Sequence, residues 1–146
     1  IPEMTRFLLS LNQAVDTVFA ALREARPGET FVPNAPSATV IHIVKALIGD
    51  RDVPIQTIGI RPGEKIHEIM VSEEEINHCV RRGDFYVIRP MLPELSDPGF
   101  AEPNALLREF SSADNVLDYP GTVALLKANR LMVEDVQPGR DAELLR

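Results

Sequence analysis

One cysteine, Cys79, is present among the 146 residues, and tryptophan is absent. A single cysteine excludes an intrachain disulfide and a structural zinc site built from several cysteines. We therefore expect a reducing, cytoplasmic setting. No apolar run approaches the roughly 18 residues of a membrane span, and the first residues lack the basic and then apolar pattern of a signal peptide.

Positive charge is also scarce, since 15 Lys and Arg stand against 22 Asp and Glu. The resulting net charge of −7 argues against nucleic acid or an anionic membrane as a general partner. Arg6, Arg61 and Lys65 could still form a local basic pocket. The length and the 45% hydrophobic content suit one core, so one domain is expected. We interpret the Ile-Pro-Glu start as that of a fragment or a processed product.

The first helix is predicted from a capping pattern. Ser10 is followed three residues later by Gln13, which is typical of a capping box, and the helix should end near Ala25. Its apolar residues recur at three- and four-residue steps and form one face, namely Leu11, Val15, Val18, Phe19 and Leu22.

Two further helices are predicted. One spans 39–48, with Ser37 as its cap and Gly49 as its stop. Its expected buried stripe consists of Val40, Ile43, Val44 and Leu47. The other begins near Pro120, a residue that suits the first helical position, and runs to about residue 131. Its expected core face consists of Val123, Leu126 and Leu131, with Leu125 as a further candidate.

Short strands are predicted over 30–32, 53–60 and 84–89, where β-branched and aromatic residues are enriched. Residues 65–71 suit either a strand or one helical turn, and residues 72–75 favour the cap and first turn of a short helix. This order of elements predicts a mixed α/β fold with too few strands for a complete doubly wound sheet. We therefore expect a lobe that docks on another domain.

The Arg-Pro-Gly-Glu sequence of residues 61–64 favours a type II turn, because Pro62 presets φ and Gly63 accepts a positive φ. Such a turn brings the Cα atoms of Arg61 and Glu64 within about 7 Å. A guanidinium offers paired hydrogen bonds to a pyrophosphate, and a carboxylate accepts from both hydroxyls of a diol. The loop could therefore hold the phosphates and sugar of a nucleotide. The alternative is an ordinary Arg–Glu ion pair at the surface.

Three segments of the sequence carry a resemblance: residues 61–68 (Arg-Pro-Gly-Glu-Lys-Ile-His-Glu), 4–7 (Met-Thr-Arg-Phe) and 91–95 (Met-Leu-Pro-Glu-Leu). Together they resemble the C-terminal half of the extended short-chain dehydrogenase/reductase enzymes that modify UDP-sugars. They are most similar to the UDP-N-acetylglucosamine 4,6-dehydratases and 5-epimerases of capsule and O-antigen biosynthesis. The resemblance covers roughly residues 1–96 and is weak over the tail.

The resemblance implies a small mixed α/β substrate-binding lobe that lacks the Rossmann dinucleotide-binding half. We assign residues 1–110 to the UDP-sugar-binding lobe, with the central turn at 61–68 and a proline-rich arm at 90–104. Residues 111–146 are expected to form the C-terminal helix and frayed tail of the same domain.

For the matched residues, the resemblance implies roles in UDP-sugar binding. Arg61 would contact the pyrophosphate, and Glu64 would contact the ribose hydroxyls. Arg6 would be a second phosphate or ribose contact, with Thr5 as its neighbour. The alternative for Arg6 is a structural ion pair with an acid such as Glu3.

The sequence lacks the groups that would perform redox chemistry in such an enzyme. No glycine-rich dinucleotide motif follows a strand. The positions four residues after Tyr86 and Tyr119 hold Pro90 and Val123, so the family's Tyr-x-x-x-Lys pair is absent. We therefore expect no catalytic, cofactor-binding or metal-binding residue here. NADP would be bound by the separate Rossmann half, and the lobe alone would be inactive.

Other polar features are expected to be structural. His67 could form a hydrogen bond with Glu64 or Glu68, residues 73–75 are expected to be a solvated helix start, and Cys79 a neutral thiol.

The predicted function is therefore the UDP-sugar-binding lobe of an NADP-dependent UDP-sugar 4,6-dehydratase, a lyase, with or without epimerase activity. Its expected partners are a UDP-sugar, the Rossmann half and further copies of the full enzyme. One alternative is a non-catalytic interaction or oligomerisation module that pairs with a separate Rossmann chain. Another is the same lobe of a UDP-hexose 4-epimerase.

Overall fold

The computed structural model describes residues 1–95 and 102–135, and within these ranges it contains three α-helices and eight short strands. The helices are α1 (Leu11–Glu24), α2 (Val40–Ile48) and α3 (Tyr119–Ala128). The strands are β1 (Thr5–Phe7), β2 (Thr30–Pro33), β3 (Ser37–Thr39), β4 (Ile69–Val71), β5 (Cys79–Arg82), β6 (Phe85–Ile88), β7 (Phe110–Ser111) and β8 (Val116–Leu117). The predicted mixed α/β fold class is confirmed.

The strands of the described ranges form three small sheets. In the first, β3 lies between β1, which is antiparallel to it, and β8, which is parallel to it. The second is antiparallel in the order β2-β6-β5, with β5 and β6 as a hairpin. The third is the antiparallel pair of β4 and β7. Because β7 and β8 each pair with an earlier strand, residues 110–117 are built into the same fold as the N-terminal part.

The start of α1 matches its prediction. The Ser10 hydroxyl accepts from the Gln13 amide, the Gln13 side chain accepts from the Ser10 amide, and Ala25 caps the C-terminal end. The cap predicted for α2 was wrong, because Thr39 occupies that position and accepts from the amide of His42. Ser37 instead belongs to β3, since pairing with both neighbouring strands holds this residue extended.

The boundaries of the other helices also differ in detail. α2 ends at Gly49 as predicted, but its expected apolar stripe is only half-buried, and Ala46 is its buried residue. α3 ends at Ala128, so Leu131 lies beyond it and is exposed, while Met132 is buried in its place. Ala46, Met132 and Leu126 of α3 form one core cluster.

The strand predicted over 53–60 was wrong. This segment has no regular secondary structure, and all of its residues are exposed. No neighbouring strand in the described ranges pairs with it, and β-propensity is expressed only where a partner strand and a packed face exist. Residues 65–71 do end in a strand, β4, because β7 pairs with it.

Two further differences lie around residues 72–82. The short helix predicted at 72–75 begins later, at Ile76–His78, because the Glu75 carboxylate accepts from both the amide and the hydroxyl of Ser72 and closes a turn there. β5 was not predicted. The proline-rich arm contains a 3₁₀ turn at Pro93–Leu95, whereas residues 96–101 and the predicted frayed tail lie outside the described residues.

The principal core cluster lies between the second and third sheets. Its buried members are Val32, Val71, Cys79, Ile88 and Phe110. The ring of Phe110 packs against those of Phe7 and Tyr86, with centroid distances of 5.1 and 5.0 Å. This packing fixes β1, the strand that carries two of the predicted site residues.

The apolar face of α1 lies in solvent rather than in the core. Leu11 is 80% exposed and Leu22 76% exposed, while Ala20 is the buried residue of this helix. We call the exposed face the α1 stripe, and it consists of Leu11, Val15, Val18, Phe19 and Leu22. A contiguous apolar face of this kind is typical of a surface that packs against another protein surface.

Candidate functional site

The turn at residues 61–64 has the predicted geometry, and we call it the Arg-Glu turn. Gly63 has φ +85°, and the Glu64 amide donates to the Arg61 carbonyl at 3.1 Å. Oε2 of Glu64 also accepts from the Arg61 backbone amide at 2.9 Å. The carboxylate is therefore held by backbone, and its second oxygen remains available to a ligand.

Both residues of the Arg-Glu turn line one open cavity of about 300 Å³. Its walls are formed by Ile1, Pro2, Met4, Val40, Ile41, Val44 and residues 55–59. Most of the lining residues are apolar, and Arg61 and Glu64 are the lining residues with charged side chains. None of the ion pairs within the described ranges involves Arg61 or Glu64. A plain ion pair between these two side chains is therefore not what the structure contains.

Arg6 lies on β1 and is fixed by several contacts. Its Nη1 donates to the Thr5 carbonyl at 2.6 Å and to the Ile66 carbonyl at 3.3 Å, and its Nε lies 3.6 Å from the Glu68 carboxylate. The acid that Arg6 faces is thus Glu68 rather than Glu3. The Arg6 side chain is 30% exposed, so part of it remains accessible beside the loop that carries the Arg-Glu turn.

Thr5, the fourth predicted site residue, lies beneath the surface and is 3% exposed. Its hydroxyl lies 2.7 Å from Nδ1 of His67 and 2.7 Å from the hydroxyl of Ser112. His67 thus bonds to Thr5, rather than to Glu64 or Glu68 as the sequence suggested. Sequence reasoning missed Ser112 entirely, because a serine that follows a short strand carries no distinguishing signal.

The predicted site residues therefore meet around one loop. Arg61 and Glu64 line the cavity, while Arg6 and Thr5 lie on β1 against the C-terminal end of that loop. A free guanidinium suits phosphate oxygens, and a fixed carboxylate suits hydroxyl donors. Within a largely apolar cavity, this pair can bind a ligand that combines a phosphate, a diol and an apolar ring.

Other polar groups lie elsewhere. Cys79 is fully buried, and this burial raises the pKa of its thiol, so the neutral form predicted for it is favoured. Lys65 is exposed. No group of three His, Cys, Asp or Glu residues able to hold a metal ion occurs in the described part of the chain.

A larger cavity of about 440 Å³ lies between α2 and the start of α3. His42, Lys45 and Tyr119 are its polar residues, and it contains neither a carboxylate nor an arginine. It therefore lacks the paired charges that distinguish the cavity at the Arg-Glu turn. Over the residues that the structure describes, no helix is both long enough and apolar enough to cross a membrane.

Comparisons with known proteins agree with the predicted resemblance at the family level. Residues 1–90 match a family model described as "Polysaccharide biosynthesis protein". The UDP-glucose 4-epimerases of Rickettsia canadensis and Rickettsia massiliae are 40% and 42% identical over 90 and 89 residues, which is 60% of this chain and 26% of each enzyme. An uncharacterized membrane protein of Methanocaldococcus jannaschii is 36% identical over 98 residues, which is 61% of this chain and 29% of that protein.

A solved structure shows the same fold. The X-ray structure of Pen from Bacillus thuringiensis superimposes with a TM-score of 0.77 at 23% sequence identity, and the match covers 91% of this chain and 40% of that chain. This chain thus spans less than a third of the length of the curated relatives that it matches. The family-model match ends before β7, β8 and α3 begin. Our knowledge of these three elements therefore comes from the structure and not from the family match.

Proposed function

We propose, from the premise that the chain belongs to the polysaccharide biosynthesis protein family, that it is the UDP-sugar-binding lobe of a nucleotide-sugar-modifying enzyme. The observation that carries this proposal is the presence of Arg61 and Glu64 on one rigid turn at the same cavity. Among the residues that the structure describes, the Arg61 guanidinium has no acidic partner and one Glu64 oxygen has no donor, and this pair would suit the diphosphate and ribose of UDP.

Each part of UDP has a counterpart in the cavity. Arg61 would hold the pyrophosphate through paired charge-assisted hydrogen bonds. The free oxygen of Glu64 would accept from the ribose hydroxyls. Met4, Val40 and Val44 would pack against the apolar face of the base. Arg6 would approach the phosphates from β1, with part of its charge balanced by Glu68.

The full enzyme is proposed to be an NADP-dependent UDP-N-acetylglucosamine-type 4,6-dehydratase or epimerase of surface polysaccharide biosynthesis, acting in the cytoplasm as an oligomer. NADP, held by the Rossmann half, would supply hydride transfer at C4 of the hexose. The lobe described here contributes binding and orientation, because rate depends on how the hexose meets the cofactor. This chain alone should therefore yield no 4-keto sugar from UDP-N-acetylglucosamine and NADP.

The α1 stripe is the surface that we assign to the cofactor-binding half. It exposes five large apolar side chains on a helix whose polar side is already solvated. The curated relatives are much longer than this chain, and we therefore assign the proposed cofactor-binding half as the occupant of this face. Burial of such a face on association is favourable by about 25 cal/mol per Å² of apolar surface.

A second candidate is the same lobe of a UDP-hexose 4-epimerase. It is favoured by the 40–42% identity to relatives named UDP-glucose 4-epimerase. Both candidates bind UDP in the same way and differ in what happens to the hexose. The reaction product of this lobe combined with its cofactor-binding half distinguishes them, since a dehydratase releases a 6-deoxy-4-keto sugar and an epimerase releases a 4-epimer.

Calorimetric titration of UDP into the 146-residue chain tests the shared proposal. We expect binding by the wild type, and loss of most of that binding in Arg61→Ala and in Glu64→Ala. Arg108→Ala is the matched control, because Arg108 is an exposed arginine that pairs with Asp114 and does not line the cavity. Glu64 should also make UDP bind more tightly than its 2′-deoxy analogue, and Glu64→Ala should remove that preference. Absence of UDP binding, even with the cofactor-binding half supplied, would support the non-catalytic interaction module instead.

A further inference from the structure

The loop at residues 54–65, which carries the Arg-Glu turn, is held by hydrogen bonds to the rest of the lobe mainly at its C-terminal end. In the described part of the chain, the backbone of residues 54–65 forms hydrogen bonds only within that segment. Attachment begins at Ile66, whose carbonyl accepts from the Thr5 amide at 3.0 Å. The position of the Arg-Glu turn over its cavity therefore depends on how firmly residues 66–68 are held.

Two buried hydroxyls hold residues 66–68. The Thr5 hydroxyl bonds to Nδ1 of His67, and the Ser112 hydroxyl accepts from the Glu68 amide at 2.9 Å. The Ser112 amide also donates to the Glu68 carbonyl at 2.8 Å. This serine therefore forms hydrogen bonds with both the amide and the carbonyl of Glu68. The two hydroxyls lie 2.7 Å from each other, and Ser112 is fully buried. The attachment is thus one connected polar cluster.

This cluster accommodates either role of the His67 nitrogen. When Nδ1 accepts, Thr5 donates to it and Ser112 donates to the Thr5 hydroxyl. When Nδ1 carries a proton, it donates to Thr5, Thr5 donates to Ser112, and Ser112 donates to the Thr5 carbonyl at 3.2 Å. In both cases every hydroxyl proton has an acceptor. Removal of the Thr5 hydroxyl takes the partner from Nδ1 of the half-buried His67, and removal of the Ser112 hydroxyl takes the side-chain partner from the amide of the half-buried Glu68.

We propose that Thr5 and Ser112 are positioning residues for UDP binding, a role that rests on the function proposed above. Neither would touch the ligand. They would hold His67 and Glu68, and through them keep the Arg-Glu turn oriented toward the cavity. Arg6 belongs to the same unit, because it donates to the Thr5 carbonyl. Ser112 lies beyond the residues that the family model matches, so the C-terminal part of the chain completes the site.

Variants of matched side-chain shape test this role. UDP is titrated calorimetrically into each variant under conditions in which circular dichroism shows that variant to be folded. Thr5→Val keeps the side-chain shape and removes the hydroxyl, whereas Thr5→Ser keeps the hydroxyl. We expect Thr5→Val and Ser112→Ala to weaken UDP binding about three- to tenfold, the size of one ordinary hydrogen bond. Thr5→Ser should bind within about twofold of the wild type, since its hydroxyl bonds are kept.

Two control variants remove equally buried hydroxyls elsewhere. Thr122→Val removes a bond to the Asp118 carbonyl, and Ser37→Ala removes a bond to the Asp114 carbonyl. Both should lower thermal stability without changing the affinity for UDP. Hydrogen exchange provides a second readout. The Glu68 amide should exchange faster in Ser112→Ala than in the wild type, and at the wild-type rate in Thr122→Val.

The outcomes separate this inference from the proposed function. If the wild type binds UDP and Arg61→Ala does not, but Thr5→Val and Ser112→Ala bind as the wild type does, the positioning role is overturned and the proposed function stands. Equal loss of affinity in the control variants would also overturn it, since general destabilisation would then suffice. A wild-type chain that does not bind UDP, even with the cofactor-binding half supplied, overturns both.

Discussion

The carboxylate of Glu64 lies 2.9 Å from the backbone amide of Arg61, and the Glu64 amide returns a hydrogen bond to the Arg61 carbonyl. Both hydrogen bonds between the two residues therefore involve the Arg61 backbone. Within the described residues, the two charged side chains form no ion pair with each other. Pro62 and Gly63 make this arrangement possible, since one presets φ and the other accepts +85°. The backbone of the turn and the Glu64 carboxylate are thus held in place without a ligand, which would lower the entropic cost of the UDP binding proposed above.

Replacement of Gly63 by alanine should disturb this turn without creating a clash. A Cβ at Gly63 meets nothing within 4 Å, so the effect is one of backbone conformation alone. We expect a stability loss of about 1 kcal/mol together with weaker UDP binding. Gly83→Ala is the matched control: Gly83 also has a positive φ and open space around it, but it lies in the β5–β6 hairpin. Gly83→Ala should lower the free energy of unfolding by a similar amount and leave the affinity for UDP unchanged.

The ion pair between Arg82, at the end of β5, and Glu29, just before β2, should matter far more to stability than the exposed pair of Arg108 and Asp114 near β7. Arg82 donates to both Glu29 oxygens at 2.7 Å, and the Glu29 side chain is 3% exposed. The hydrogen bond to Glu29 is the main cause of a raised pKa of Arg82. Arg82→Met removes the cation that pairs with the buried Glu29 carboxylate and with Glu102, and should cost about 3 kcal/mol in urea unfolding.

Arg108→Met is the matched control for that measurement, because the Arg108 side chain is 80% exposed. Loss of an exposed pair should cost less than about 1 kcal/mol. Similar losses of unfolding free energy in Arg82→Met and Arg108→Met would show that the Arg82 pair is solvated in solution.

The same ion pair predicts the direction of the acid response. Burial raises the pKa of Glu29, but hydrogen bonds from Arg82 and from the Arg26 amide outweigh it, so the pKa lies below 4.5. A depressed folded-state pKa stabilises the fold above the unfolded value of 4.5, and this contribution is lost as the pH falls through the folded-state value. Urea midpoints of the wild type should therefore fall more steeply below pH 4.5 than those of Glu29→Gln. Parallel curves would contradict the assignment.

The sequence predicted local structure well where local chemistry decides it. The capping box at Ser10 and the Arg-Glu turn are set by side chains a few residues apart, and both formed as expected. The paired positions of Arg61 and Glu64 at one cavity also followed from the turn. Short-range hydrogen bonds need no knowledge of the rest of the fold, so such predictions succeed.

Predictions that depend on distant partners were less successful. The segment 53–60 has strong β-propensity, but no strand within the described ranges pairs with it, so it stays irregular. Ser37 has good capping chemistry, but pairing with β1 and β8 placed it in a strand. Ser112 contacts Thr5 across a separation of 107 residues, and no single-sequence pattern reveals a contact of that range.

Cys79 should be inert in the folded protein. It is fully buried between core residues, and burial raises the pKa of its thiol, so little thiolate forms at neutral pH. We expect a thiol reagent to react with the native chain far more slowly than with the same chain in denaturant. Because no other cysteine exists, the signal belongs to one residue. Rapid labelling of the native chain would place Cys79 at an accessible surface.

The last prediction concerns the two sides of α1. Val18 and Leu22 belong to the α1 stripe and are 59% and 76% exposed, whereas Ala20 is buried at 4%. Replacement of Val18 and Leu22 by lysine should change the unfolding free energy of this chain by less than about 1 kcal/mol, because exposed positions away from packing tolerate substitution. Ala20→Lys should prevent stable folding, because it inserts a charge where α1 packs on the lobe.

Association then tests whether the α1 stripe is a docking surface. The 146-residue chain should bind the hydrophobic dye ANS, and Val18→Lys with Leu22→Lys should reduce that binding, since the dye reports exposed apolar surface. The same double variant should lose affinity for the cofactor-binding half while still binding UDP, because the stripe and the Arg-Glu turn share no residue. If the variant combines with that half as tightly as the wild type does, the two parts meet elsewhere. Simultaneous loss of UDP binding would instead mean that α1 supports the nucleotide cavity, which its contacts with β2 do not predict.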